Sequence, residues 1–426
     1  MLDADFALFN VDQLVTVAPD VHADAAGPLG ILEGAALAAK GNTIVWIGRM
    51  DDLRTEVRLG PEATILNAHG RVVLPGFVDA HTHPVFAGDR TADFYARSSG
   101  QPYEKQLESG IMHTVRETRK ASEEQLLNLA YQRAETFLQY GTTTIQGKTG
   151  YGLTSDDECK SLRVLNRLQH IHPLKVVPAF LGAHLMPEDY TGSADQYMRE
   201  VAEQWLPMAQ DAARLVDVWS DEGVFTEAQC RSLLTRAREL GFELTAHANE
   251  LGPGPGIRLA CELGCLSVDH AVYADDDDIA ALAGSSTVAV LLPGTTLFLG
   301  SDRYAPARQM LEAGVCVALG TDFNPGTSYT QNMQFILTLA VLKLHMSAEE
   351  AIQAATLHGA RALGMEDMVG SLRPGKYCDF TVFCVGDYRA IPYFYAMNLV
   401  ESVVAGGRVV VQEGNVVSSA PLSRPA

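Results

Sequence analysis

The chain has 426 residues, 47% of them hydrophobic and 20% charged, and a mean hydropathy of +0.02, the composition of a soluble globular enzyme and not of a disordered or fibrous chain. A net charge of −20, from 32 basic and 52 acidic side chains, gives a surface field that repels phosphate backbones and anionic headgroups, so neither nucleic acid nor a membrane surface is an expected partner. No segment approaches the roughly 20 apolar residues of a membrane helix, the start Met1-Leu-Asp-Ala-Asp5 lacks the basic region of a signal peptide, and seven cysteines without a Cys-x-x-Cys pair argue against a disulfide framework. A cytoplasmic location is expected.

In chain order, residues 31–48 alternate weakly about Gly41-Asn42, a hairpin-type turn. From about residue 71 to 322, eight apolar strand-like runs follow: 71–83, 142–148, 174–184, 212–220, 242–250, 265–270, 286–294 and 315–322. Helical stretches separate them. Capping boxes open three helices at Ser122, Thr226 and Ser347, and Gly141, Gly241, Gly264 and Gly314 read as terminators. The acidic run Asp275 to Asp278 reads as a solvated helix start. Strict alternation implies parallel pairing, and eight units close into a (β/α)₈ TIM-type barrel with its active site at the carboxyl ends of the strands. Short strands at 379–384 and 403–411 are expected to join the amino-terminal segment in a small β-sandwich domain. The predicted organisation is 1–70 and 366–426 for that domain and 71–365 for the barrel.

The chemistry sits at the strand ends. Val78-Asp-Ala-His-Thr-His83 presents His81 and His83 on one side of an extended chain, because residues i and i+2 share a face. His247 ends Phe242-Glu-Leu-Thr-Ala246, and Asp322 ends Val315-Cys-Val-Ala-Leu-Gly-Thr321. Three imidazoles and a carboxylate suit one zinc or ferrous ion with a position left for water. Glu250, three residues past His247, is a candidate to take a proton from that water and return it to a leaving nitrogen, against a surface acid on a loop, and His270 to orient the water or to bond a neighbouring strand. His184 is a candidate for hydrogen bonding a substrate ring. Arg90 is the candidate cation for a substrate carboxylate, its planar fork matching two oxygens, with a surface arginine as the competing reading. Tyr151 lies in the glycine-rich Gly147-Lys-Thr-Gly-Tyr-Gly152, which lacks the Gly-Lys-Ser/Thr ending of a phosphate loop. Lys148 reads as a second cation or a solvated loop residue. No lysine ends the run 212–220, so one ion is favoured over a bridged pair.

The set Val78-Asp-Ala-His-Thr-His83, His247-x-x-Glu250, Asp269-His270 and Thr321-Asp322 resembles the amidohydrolase superfamily. Lys148-Thr-Gly-Tyr-Gly-Leu153, Gly182-Ala-His184, Leu291-Leu-Pro-Gly-Thr-Thr296, Thr321-Asp-Phe-Asn-Pro-Gly-Thr327 and Ile391-Pro-Tyr393 narrow the resemblance to its imidazolonepropionase family, over about residues 30–412. The resemblance implies hydrolysis of 4-imidazolone-5-propanoate to N-formimidoyl-L-glutamate in histidine degradation, one zinc or iron ion on His81, His83, His247 and Asp322, and a homodimer. It places Arg90, Tyr103 and Tyr151 on the propionate, His184 on the ring, and Asn324, Gly326 and Thr327 on the polar end of the product. Three segments depart from the family pattern: Gln146-Gly, Asn249 before Glu250, and Glu108-Ser-Gly110. The competing reading is a related amidohydrolase acting on another cyclic amide or a nucleobase; a barrel serving only as a binding module is the other.

Overall fold

The structure, a computed structural model, describes residues 1–100 and 110–417. Its strands in chain order are β1 (Leu2–Val15), β2 (Ile31–Lys40), β3 (Thr43–Arg49), β4 (Val57–Pro75), β5 (Phe77–Thr82), β6 (Thr142–Lys148), β7 (Lys175–Ala183), β8 (Leu215–Ser220), β9 (Glu243–Ala248), β10 (Ser267–His270), β11 (Val288–Leu291), β12 (Val317–Leu319), β13 (Phe380–Phe383), β14 (Val400–Ala405), β15 (Arg408–Gln412) and β16 (Asn415–Val416). Strands β5 to β12 pair in sequence order, every pair parallel. The sheet closes at its carboxyl end, where Asp322 N donates to His81 O at 3.0 Å and His83 N to Phe323 O at 2.8 Å. Each of the eight runs expected from the sequence contains one barrel strand.

Their apolar residues divide by parity. Phe77, Ile145, Val176, Val216, Val218, Leu244, Val268, Val317 and Leu319 join the buried cluster shared with the helices, whereas Val78, Val177, Leu215, Val288, Val290 and Ala318 form a separate cluster on the other strand face. The helices Glu123–Gln139, Glu227–Glu239 and Ala348–Ala354 each begin with the expected capping box, in which the Ser122, Thr226 or Ser347 hydroxyl accepts from the third backbone N–H. Gly141 and Gly241 close two helices at φ of 88° and 89°, which side-chain-bearing residues rarely adopt. The acidic run is also a cap: Asp275 receives Asp278 N, but Asp278 is buried and not solvated, accepting from Arg258 at 2.7 Å.

The two chain ends share one eight-stranded sheet in the order β16-β15-β14-β13-β4-β1-β2-β3, with the β2–β3 hairpin turning at Gly41-Asn42. One strand assignment needs correction. The run 71–83 is two strands in two sheets, since Arg71–Pro75 ends β4 and pairs with β1 and β13, and only Phe77 onward enters the barrel. Gly76 makes the transition where a Cβ would lie 2.2 Å from the Thr143 hydroxyl. Strand β1 and the part of β4 before Arg71 have no counterpart among the expected runs. All seven cysteines are free, and among the described residues no helix is long and apolar enough to cross a membrane.

Candidate metal and hydrolase site

His81 and His83 leave the end of β5, His247 lies near the end of β9, and Asp322 follows β12. The barrel brings them together. His81 Nε2 stands 3.2 Å from His83 Nε2 and 3.4 Å from Asp322 Oδ1, which is 3.7 Å from His83 Nε2. Ligand atoms of His81, His83 and His247 all lie within 4.8 Å of one another, as do those of His81, His270 and Asp322. For bonds of about 2.0–2.1 Å in a tetrahedron, donors stand about 3.4 Å apart. His81, His83 and Asp322 have that spacing, and His247 lies within 4.8 Å of both histidines.

The rings are aimed by their other nitrogens. His81 Nδ1 is 2.7 Å from Asp269 Oδ2, His247 Nδ1 is 3.1 Å from Asp217 Oδ1, and His83 Nδ1 faces Thr149 O at 3.4 Å. Each acceptor holds the proton on Nδ1, so the Nε2 lone pairs converge on one point, an arrangement that repels itself unless a cation occupies it. Burial drives His81 and His83 well below the usual imidazole range, with Lys148 adding to the effect at His81 and His184 at His83. They are therefore neutral, as ligands must be. Asp322 is fixed by Thr295, whose hydroxyl donates to Oδ2 at 2.6 Å, and burial raises its carboxyl to about 6. The donor set fits a divalent ion.

Beside these donors a cavity is lined by Arg90, Ile111, Tyr151, His184, Trp219, Glu250, His270, Asn324 and Thr327. The Glu250 carboxylate stands 3.6 Å from His270 Nε2, with a side chain 7% exposed. Burial, then the Asp322 and Asp221 carboxylates, push it well above the usual carboxylate range. Asp221 also accepts from Glu250 N at 2.9 Å and so fixes that turn. His184 lies parallel to His83 with centroids 5.4 Å apart, and its Nδ1 is tied to Gly150 O at 2.8 Å. Glu158 accepts from the backbone of Gly150, Gly152 and Leu153, and thereby shapes the loop carrying Tyr151.

The Arg90 guanidinium donates through Nε to Asp93 at 2.6 Å, while its buried Nη2 has no hydrogen-bond partner among the described residues. Glycine on either side makes room for it, since a Cβ at Gly110 would stand 2.1 Å from Nη2 and one at Gly326 2.4 Å from Nη1. Gly326 thus provides space for Arg90. Asn324 receives Gly326 N and Thr327 N on Oδ1 at 2.8 Å each and donates to Asp322 O and the Thr327 hydroxyl, so its amide clips the loop after Asp322.

Several expectations change. Lys148 is neither a pocket cation nor a solvated loop residue: it ends β6, wholly buried, and its ammonium contacts Asp217 and Asp269. Gln146 is also buried and does not line the cavity, and Asn249 turns away to donate to Gly254 O and Asp278. Tyr103 and Glu108-Ser109 lie outside the described residues. Sequence reasoning gave no role to Asp217, Asp221, Thr295 or Trp219; an acid inside the apolar run Leu215-Val-Asp-Val-Trp219 was the available signal.

A profile of the amidohydrolase family matches residues 72–410. The chain is 42% identical over 419 residues to the imidazolonepropionase of Symbiobacterium thermophilum, covering 95% of this chain and 99% of the relative. The chain belongs to the amidohydrolase family, among the imidazolonepropionases. This amidohydrolase is also 40% identical to the imidazolonepropionase of Geobacillus kaustophilus, with 95% and 97% covered. A solved adenosine deaminase from Xanthomonas campestris with bound zinc superposes with a TM-score of 0.75 at 20% identity over 98% of this chain and 95% of that one, a likeness of fold.

Proposed function

We propose that the chain hydrolyses 4-imidazolone-5-propanoate to N-formimidoyl-L-glutamate, with His81, His83, His247 and Asp322 holding one zinc or ferrous ion. The observation carrying this reading is one cavity lined by His83, His247 and Asp322, with His81 beside them, together with the buried Glu250 and the Arg90 fork. When bound, the ion supplies positive charge that makes water a nucleophile near neutral pH and polarises the ring carbonyl.

The remaining work belongs to side chains. Arg90 receives the propionate through Nη2, with Tyr151 lining the same cavity, and so fixes which ring edge faces the donor set; Tyr103 is assigned to the propionate from the family resemblance alone. His184 holds the ring through Nε2, since Nδ1 is engaged with Gly150 O. Thr327, on the loop clipped by Asn324 and with Gly326 keeping the Arg90 pocket open, meets the polar end of the product. Glu250 accepts a proton from water as its oxygen bonds to the ring carbonyl carbon. It then gives that proton to the ring nitrogen as the C–N bond breaks, so one water is consumed and a carboxylate and a formimidoyl nitrogen result. His270 and Asp322 keep the water aimed at the carbonyl, and Glu250, 3.6 Å from His270, lines the same cavity as Asp322.

The test is an assay of metal-replete protein with freshly generated imidazolonepropanoate beside a panel of cyclic amides and nucleobases. Ring opening confined to the propanoate is expected. Consumption of a nucleobase with the imidazolone untouched contradicts the proposal.

A further inference from the structure

Below the donor set lies a buried ionic bridge. Lys148 ends β6, Asp217 lies on β8 and Asp269 on β10, three alternate strands, and all three side chains are fully buried. The Lys148 ammonium donates to Asp269 Oδ2 at 2.9 Å and to Asp217 Oδ2. That same Asp269 oxygen receives His81 Nδ1, and the other Asp217 oxygen receives His247 Nδ1. The outer partners are also fixed: the Ser267 hydroxyl donates to Asp269 Oδ1 at 2.7 Å and Val218 N to Asp217 Oδ1 at 2.7 Å. Four side chains on four strands are thus tied to one nitrogen.

Two carboxylates drawn onto one point in a water-free interior repel each other strongly unless a cation lies between them. Without the ammonium they must part, and each carries the acceptor of an imidazole with it. We propose that Lys148 is a positioning residue for the metal site, clamping Asp217 and Asp269 so that His81 and His247 keep Nδ1 downward and Nε2 toward the ion. The inference rests on the reading of His81 and His247 as metal ligands. It makes a residue that touches neither ion nor substrate a determinant of ion affinity.

Full-length wild type, Lys148→Met, Asp217→Asn and the double variant are compared. Zinc affinity is measured by competition with a chromophoric chelator, the cobalt-loaded proteins give visible spectra, and circular dichroism and thermal melts report folding. Folded Lys148→Met is expected to bind zinc about tenfold to a hundredfold more weakly, the usual effect of losing an outer partner of a ligand, and to show displaced cobalt bands. The double variant is expected to stay within about threefold of Asp217→Asn, because a clamp with one carboxylate left has nothing to hold together. Wild-type affinity and spectrum in Lys148→Met overturn the clamp, as does a double variant with the multiplied losses of both single ones. If Lys148→Met does not fold, the comparison of Asp217→Asn with the double variant decides alone. A wild type that takes up no ion overturns the ligand reading itself, and the clamp with it.

Discussion

Arg90 sits where a carboxylate can approach only if two backbones stay clear. Its Nη1 and Nη2 occupy the space of the missing Cβ atoms of Gly326 and Gly110, so Gly326→Ala must displace the fork without touching the donor set. Loss of a charged hydrogen bond is worth about 1.5–3 kcal/mol. Steady-state kinetics of Gly326→Ala and Arg90→Ala should therefore show KM for the propanoate raised roughly tenfold to a hundredfold, with bound metal unchanged; an unaltered KM in both would remove Arg90 from substrate recognition. At this scale the sequence was informative wherever chemistry coincides with a strand end, as at His81, His83, His247 and Asp322. It was silent on Asp217 and Thr295, because their partners come from other strands or from the loop after β12. Lys148 was misread for the same reason: an ammonium beside glycines looks solvated until two distant aspartates are placed against it.

The helices were legible through their ends. Ser122, Thr226 and Ser347 each make both halves of a capping box, and Ser122→Ala should lower unfolding free energy by about 1 kcal/mol in urea titration without altering kinetics. Strands were legible where both faces are buried, which is why all eight barrel strands stood out as apolar runs. Strand β1 and the part of β4 before Arg71 did not. Asp3, Asp5, Asn10 and Asp12 dilute β1, and Gly60, Pro61, Asn67 and Gly70 interrupt β4, residues that disfavour strands on their own and are held here by pairing with each other and with β2 and β13. Nor could hydrophobicity mark the change of sheet at Gly76, since the residues on both sides are equally buried.

Across the molecule, the barrel and the terminal sheet are joined at Asp379, which accepts from Lys175 Nζ at 2.6 Å and from Gly406 N at 2.7 Å. Removing one partner of such a pair strands the other, so Asp379→Asn should cost about 3 kcal/mol in thermal or denaturant unfolding; no measurable loss would show the junction to be held by packing alone. Acid sensitivity is expected away from the site as well. Burial lowers the His172 imidazole from 6.5 to about 4, so the unfolded chain binds the extra proton first. The stabilisation is complete above pH 6.5 and is lost as pH falls through the window to 4, reaching about 2 kcal/mol by pH 5. Melts of His172→Asn from pH 7 to 5 should therefore decline less steeply than those of wild type, and parallel curves would contradict this.

In the proposed reaction one ion, gripped from the ends of β5 and β9 and just past β12, makes water cleave the imidazolone ring. Chelator-stripped protein titrated with zinc or ferrous ion tests it directly, with product formation followed at each addition. Negligible turnover is expected in the stripped protein, then a linear rise and a break at one equivalent per chain. Full turnover without metal, or a break at two equivalents, would contradict it.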